Sequence, residues 1–318
     1  MDGLKPKISI IGCGNVGMRF AYSVAIKGLA RSLVLVDVNR KRLEADALDL
    51  SHGAPFYSPI DINAGDYADI GGSDLVVVTA GKSILPGQTR LEIAKTNAEL
   101  FKSIIPQIVK YAPSSIILVV SNPVDILSYV AYKLSGKPSG EVIGSGTVLD
   151  SSRLRFLLGQ DCSVDTRNIH AYVLGEHGDS EFPCWSKAMI GGVALNDYCA
   201  ICGICDNNEK NRKLQNIFNE VKNSAYKIIE GKGETSYGIG LAMARITQAV
   251  VHDENSILPV SCLVNGFLGQ EELYISLPAI VNKDGVREVV TLKLNESEEA
   301  SFKVSAEAVK RVLKEIGF

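Results

Sequence analysis

A histidine set among glycines is the residue of this chain best suited to moving protons. In Gly175-Glu176-His177-Gly178-Asp179 the motif follows a short apolar run from Ala171 to Leu174 that reads as a strand. The ring is therefore expected to face a cleft instead of packing in a core. Imidazole is the side chain that gives and takes a proton most readily near neutral pH. Upstream, Asp150 and Arg153 are three residues apart where an apolar helical stretch begins, and that spacing puts a carboxylate and a guanidinium on one helix face. Taken alone, the pair reads as a salt bridge or a helix cap.

A second constellation is built for phosphate. Gly12-Cys13-Gly14-Asn15-Val16-Gly17 matches G-x-G-x-x-G and lies between an apolar run, Lys7 to Ile11, and a helical stretch from Val16 to Lys27. In that context the glycines permit a tight turn, close approach of backbone to a pyrophosphate, and close helix packing. Asp37 ends the next strand, Ser32 to Val36, 20 residues beyond Gly17, where a carboxylate can accept hydrogen bonds from an adenosine ribose and repel a 2'-phosphate. The spacing points to NAD over NADP, with Arg40 and Lys41 as opposing charges nearby.

The elements that must position these groups alternate. After the second strand come a helical stretch from Arg40 to Leu50, a strand from Asp74 to Val78, a Gly/Pro-bearing loop from Ala80 to Gln88, a helix from Arg90 to Tyr111 and a strand from Ser115 to Val120. Nearly continuous Val/Ile/Leu runs separated by helices are what a parallel sheet covered on both faces produces. The fold class is thus α/β: residues 1–145 as a Rossmann-type doubly wound parallel sheet, residues 146–318 as an α+β substrate domain. The second part is read as a helix at Ser151 to Leu158, the strand at Ala171 to Leu174, and helices at Leu214 to Glu230 and Leu241 to Val251. From Ile257 onward antiparallel strands are expected, including Val286 to Leu292, set apart by Asn-Gly and Asp-Gly turns, with a closing helix at Ser301 to Ile316. No linker-like segment marks residue 145, so the two parts should share a tight interface.

Composition narrows the function classes. A net charge of -3 and scattered Lys and Arg lack the basic stripe that nucleic acid or an anionic membrane surface requires. Apolar runs such as Leu75 to Ala80 and Ile116 to Val120 fall far short of the ~20 residues of a membrane span, and no charged-then-apolar leader precedes residue 7. Seven cysteines, an odd and scattered set, fit a reducing cytoplasm better than a disulfide framework. Cys199, Cys202 and Cys205 have metal-site spacing but lack a fourth ligand nearby, so they are read as small hydrophobes and no metal is expected.

Along nearly its whole length the chain resembles the lactate/malate dehydrogenase family. The matching stretches are the glycine motif, Gly87-Gln88-Thr89-Arg90, Ser121-Asn122-Pro123-Val124-Asp125, Gly144 to Asp150 with Arg153, the His177 motif, and Ile257 to Ser261. The resemblance implies that His177 donates a proton to a substrate carbonyl oxygen as hydride leaves NADH, with Asp150 orienting the ring. Arg153 would grip the substrate carboxylate through two parallel hydrogen bonds, which a guanidinium supplies and an ammonium does not. Arg90 would polarise the carbonyl when its loop closes, Asn122 would hydrogen-bond near substrate and nicotinamide, and Thr235 would line the pocket beside a methyl group. Besides Gly12, Gly14, Gly17 and Asp37, the implied cofactor contacts are Asn15, Val16, Thr79, Ala80, Gly81, Asn97, Val120 and Asn122.

Within the family, Glu176 before the histidine resembles lactate-acting members. Counting back from Arg90 puts the main specificity position at Ile84, where lactate enzymes typically carry glutamine and malate enzymes arginine. Ile84 departs from both and cuts against a second substrate carboxylate, because an uncompensated buried charge costs several kcal/mol. The resemblance therefore implies reversible reduction of pyruvate to L-lactate, a step of glycolysis and fermentation. A malate or broader 2-hydroxy acid dehydrogenase is the alternative, with Lys82 as a candidate charge partner. A cofactor-binding module that has lost its chemistry is the competing class, which the presence of both arginines, the histidine and the aspartate opposes. Arg155 and His170 align with residues that bind fructose 1,6-bisphosphate between subunits of some bacterial lactate dehydrogenases, which would go with a homotetramer. Packing or a plain anion site is the other reading of those two residues.

Overall fold

Strands buried on both faces are nearly continuous apolar runs, and Leu75–Val78, Ile116–Val119 and Val142–Gly144 are such runs. In the computed structural model, which describes residues 6–82, 89–202 and 207–318, they build the centre of one large sheet. Its first half comprises β1 (Lys7–Ile11), α1 (Asn15–Lys27), β2 (Ser32–Val36), α2 (Arg40–His52), β3 (Asp61–Ala64), β4 (Leu75–Val78), α3 (Arg90–Tyr111), β5 (Ile116–Val119), α4 (Val124–Ser135) and β6 (Val142–Gly144). The six strands are parallel, in the order β3-β2-β1-β4-β5-β6. The order reverses between β1 and β4, and ligands of such sheets bind at the carboxyl ends of the strands at that reversal. The glycine loop after β1 and the chain leaving β4 and β5 meet there.

Residues 148–251 carry α5 (Val148–Asp161), the short strands β7 (Ile169–His170), β8 (Val173–Leu174), β9 (Phe182–Pro183), β10 (Met189–Ile190) and β11 (Val193–Ala194), and helices α6 (Leu195–Cys202), α7 (Asn207–Lys232) and α8 (Tyr237–Val251). Then β12 (Ser256–Val264), β13 (Leu273–Asn282) and β14 (Gly285–Val289) extend the large sheet antiparallel before α9 (Glu296–Glu315) closes the chain. Ser261 of β12 stands opposite Gly144 of β6, so the nine-stranded sheet crosses residue 145 without a break. Among the described residues, no helix is long and apolar enough to cross a membrane.

Several expected boundaries move. The strand expected at 171–174 is confined to β8, although the Cys184 amide still donates to the Tyr172 carbonyl in line with the pairing of β8 and β9. The strand expected to reach Leu292 ends at Val289, past a register shift at Ile280/Val281. Helix α9 begins at Glu296 instead of Ser301, since Asn295 and Glu298 form a reciprocal cap that starts the helix before its apolar stripe.

Alternate residues of the strands feed two apolar cores, one on each sheet face. Phe101 of α3 and Phe20 of α1 are fully buried in opposite cores; truncating such a side chain to alanine costs about 3–5 kcal/mol. A third cluster, including Leu154, Leu158, Phe218 and Val221, packs α5 against α7 and so fixes the helix that carries Asp150.

Candidate active site

The glycine loop is shaped by contacts that no side chain would allow. Gly12 has φ +98°, and a Cβ there would lie 2.4 Å from the Ala80 amide nitrogen. A Cβ on Gly17 would lie 2.2 Å from the Gly12 carbonyl oxygen. A Cβ on Gly14, by contrast, would meet nothing within 4 Å. Gly14 is also the N-cap of α1 and brings no side chain to cap it, leaving first-turn amides to face an anion. Thr79 pins the loop from β4 through a hydrogen bond from its hydroxyl to the Gly12 carbonyl.

Asp37 stands at the other end of the same cleft, which Cys13, Gly14, Asn39, Arg42 and Leu43 also line. One carboxylate oxygen accepts from the Cys13 amide at 2.7 Å and the other from the Asn39 amide at 2.9 Å. Each oxygen can accept a second hydrogen bond, which suits a ribose diol. Arg40 is drawn away from this position, donating to the carbonyls of Ala64 and Gly65 and pairing with Glu44. Arg42 lines the cleft and donates to the Asn15 side chain at 3.3 Å. These residues fit the adenosine and pyrophosphate of NAD.

Of the other expected cofactor contacts, Val16 is half-buried in α1, Ala80 and Gly81 follow β4, and Val120 and the exposed Asn122 follow β5. Asn97 lies between the loops that leave β4 and β5. It is fully buried, and its amide bonds the backbone of Lys82 in both directions and the Asn122 carbonyl. These bonds tie the two loops together and leave one acceptor position on Oδ1.

The proton-transfer group assembles from α5 and the loop after β8. His177 Nδ1 lies 2.7 Å from Asp150 Oδ2, and Arg153 donates to Asp150 Oδ1 at 2.6 Å. The second half of the chain brings them together: the Thr147 hydroxyl donates to the Val173 carbonyl at 2.5 Å and the Val173 amide donates to Ser151 at 2.9 Å, clamping β8 to the start of α5. Gly175, with φ +94°, exchanges two backbone hydrogen bonds with Ser276 of β13, and a Cβ on it would lie 2.6 Å from Ser305 of α9. Burial works to lower the His177 pKa, but the Asp150 carboxylate, with smaller help from Glu181 and Asp125, outweighs it and pushes the imidazole up to about 9. Burial likewise opposes the Asp150 charge, yet His177 and Arg153 hold that carboxyl below its usual range.

Two acidic residues belong to this site that sequence reasoning did not single out. Asp125, at the start of α4, is 1% exposed and accepts the His177 backbone amide at 2.7 Å, while Ser276 donates to its other oxygen at 3.4 Å. Burial pushes this carboxyl up to about 6. The only signal was the final residue of the Asn122 to Asp125 motif. Glu181, four residues past the histidine, is 6% exposed, and nothing in its spacing marked it. Asp150, His177 and Glu181 present ligand atoms within 4.8 Å of one another, but the Arg153 guanidinium against Asp150 opposes a divalent cation there.

Thr235 is half-buried in the turn before α8, whose first residues approach α5: a Cβ on Gly238 would lie 3.0 Å from Leu149. Arg155 donates to the Thr166 carbonyl at 3.1 Å and His170 is exposed on β7. Arg90 opens α3; its side chain, like those of Cys199 and Cys202, lies outside the described residues, as do Ile84 and Cys205 altogether.

Comparison with known proteins covers the whole architecture. Residues 6–144 match the lactate/malate dehydrogenase NAD-binding domain, and residues 147–317 match the lactate/malate dehydrogenase α/β C-terminal domain. The chain is 48% identical over 311 residues to the L-lactate dehydrogenase of Thermoanaerobacter sp. (strain X514), covering 98% of this chain and 99% of that one. It is 49% identical over 311 residues to L-lactate dehydrogenase 1 of Clostridium acetobutylicum, with 98% of each covered. Among solved structures, a lactate dehydrogenase from a Medee basin deep-sea metagenome library superposes with a TM-score of 0.95 at 43% identity over 99% of both chains. The minor L-lactate dehydrogenase of Enterococcus mundtii gives 0.94 at 39% identity over 98% of both.

Proposed function

The chain belongs to the lactate/malate dehydrogenase family, and from that membership we propose that it is an NAD-dependent L-lactate dehydrogenase that reduces pyruvate with His177 as proton donor. The observation that carries the chemistry is the 2.7 Å contact of His177 Nδ1 with Asp150. It fixes the tautomer and leaves Nε2 to exchange a proton with the substrate. NADH, when bound, supplies the hydride. The imidazole, with a pKa near 9, carries its proton at neutral pH and can give it to the carbonyl oxygen, while Asp150 stabilises the charged ring beforehand. In the sign that follows, reduction weakens as pH rises through that value and oxidation of lactate, which needs the neutral ring, gains.

Arg153 is assigned the substrate carboxylate. Its bond to Asp150 leaves guanidinium N–H groups for a bidentate grip. Arg90 is assigned to polarise the carbonyl, Asn122 to the substrate and nicotinamide side, and Thr235 and Ile84 to the methyl pocket. The names of the relatives at 48% and 49% identity support pyruvate over oxaloacetate, and so does an apolar Ile84 against a second carboxylate. The enzyme is assigned to the cytoplasm, to the reoxidation of NADH in fermentation, and to a homotetramer. A second reading makes it responsive to fructose 1,6-bisphosphate at Arg155 and His170. The exposed His170 favours it.

A panel of 2-oxo acids with NADH tests the assignment. Pyruvate and 2-oxobutyrate should be reduced far faster than oxaloacetate, the first two within about 200-fold of each other because one methylene is worth only ~1–3 kcal/mol. Faster reduction of oxaloacetate would make the malate alternative correct. In the same assay at subsaturating pyruvate, an unchanged rate on adding the sugar bisphosphate would leave Arg155 and His170 a packing role.

A further inference from the structure

Glu181 is a buried acid in the proton-transfer site to which the family chemistry described above gives no task. It lies just before β9 and is 6% exposed, with its carboxyl, an oxygen of Asp150 and a ring nitrogen of His177 all within 4.8 Å of one another. The charged groups around it come from each packed element. Helix α5 supplies Asp150 and Arg153, α7 supplies Lys222, its own loop supplies Glu176, His177 and Asp179, and Asp125 of α4 reaches the site through the His177 amide. His177, Lys222 and Arg153 each favour its charged form through space, but none of them is bonded to it. The Arg153 guanidinium is bonded to Asp150 at 2.6 Å, and the Lys222 ammonium donates to the Asp179 carbonyl at 2.5 Å.

Two carboxyls sharing a buried space cannot both ionise cheaply, and their environments decide which keeps the proton. Asp150 has His177 and Arg153 in hydrogen-bond contact and stays charged. Glu181 has no such contact, and burial together with the Asp150 charge pushes its carboxyl up to about 8. An ionised Glu181 would also compete with an anionic substrate for Arg153, whereas the neutral acid would not.

We propose that Glu181 must hold its proton for the substrate carboxylate to be bound at Arg153, so that the enzyme needs two protons in place, on His177 and on Glu181, to reduce its substrate. This rests on the reading of the site as a 2-oxo acid reductase. Asp125 titrates below the relevant range and Asp150 stays ionised through it, leaving His177 and Glu181 as the pair that loses protons in mildly alkaline solution. The two titrate as a coupled system, so the number of protons is a firmer readout than either midpoint.

The test is the pH dependence of kcat/KM for pyruvate at saturating NADH, from pH ~6 to ~10.5, where the alkaline limb reports groups of the enzyme before substrate binds. Wild type should fall with a limiting slope of about -2 on logarithmic axes. Glu181→Gln and Glu181→Met, which cannot ionise, should remain within about tenfold of wild type near neutral pH and fall with a slope of about -1. NADH titration by fluorescence and a thermal melt establish that each variant is folded. A purely structural role would lower activity evenly and leave the slope alone. A wild-type slope of about -1, a slope of about -2 kept by the variants, or folded variants inactive at every pH would each overturn the proposal. The wild-type slope is readable whatever the variants do. No pyruvate reduction by wild type at any pH would instead overturn the functional reading beneath it.

Discussion

His177→Ala is expected to reduce pyruvate turnover by a factor of ~10² to 10⁴, the usual scale for a lost general acid, with NADH affinity unchanged. The separation of effects follows from the architecture. His177 is positioned by Asp150 on α5 and by the Asp125 carboxylate at its backbone amide, whereas the cofactor loop is held by Gly12, Thr79 and Asp37 in the first half of the chain. Alanine keeps the amide that Asp125 accepts, so the loop path survives and only the ring is lost. Steady-state rates together with fluorescence titration of NADH measure both quantities. Turnover within tenfold of wild type would remove His177 from the proton-donor role.

Arg153→Lys should act on binding as much as on rate. Losing one partner of a buried, hydrogen-bonded charge pair costs about 2–5 kcal/mol, and lysine keeps the charge while losing the planar fork. The side chain of Arg153 is 14% exposed and one of its nitrogens is held by Asp150, so an ammonium cannot serve Asp150 and two substrate oxygens in the same geometry. A fall of ~10² or more in kcat/KM for pyruvate is expected, the larger part in KM, with NADH binding intact. An unchanged KM would place the substrate carboxylate elsewhere.

These roles were unequally legible in the sequence. The cofactor loop was readable because its chemistry is local: the glycines, the strand before them and the helix after them are contiguous, and Gly12 and Gly17 are required by clashes within that unit and with β4. His177, Asp150 and Arg153 were legible as residue types, but their contact was not, since Asp150 and His177 are 27 residues apart and joined only through the clamp of β8 on α5. Asp125 is separated from His177 by 52 residues, and a carboxylate at a helix start reads first as a helix-dipole partner. Glu181 looked like an ordinary polar loop residue because burial is a tertiary property. The bonds by which Asn97 joins two loops were equally hidden, since they link it to residues 15 and 25 positions away.

The fold shows the same division. Parallel strands buried on both faces announced themselves as apolar runs, while edge strand β3, half exposed and containing Asp61 and Asn63, did not. Helix α4 escaped notice for the opposite reason: Val124 through Ala131 are all buried, polar Asp125 and Ser128 included. Continuation of the sheet past residue 145 depends on one cross-pairing of Gly144 with Ser261, which no local pattern encodes.

The most direct measurement of the central claim is the product formed when purified protein is incubated with pyruvate and NADH. The structure and its family membership predict NADH consumption matched mole for mole by L-lactate, with NADPH a much poorer donor because Asp37 faces the ribose position. No lactate, or lactate of the D configuration, would contradict the account.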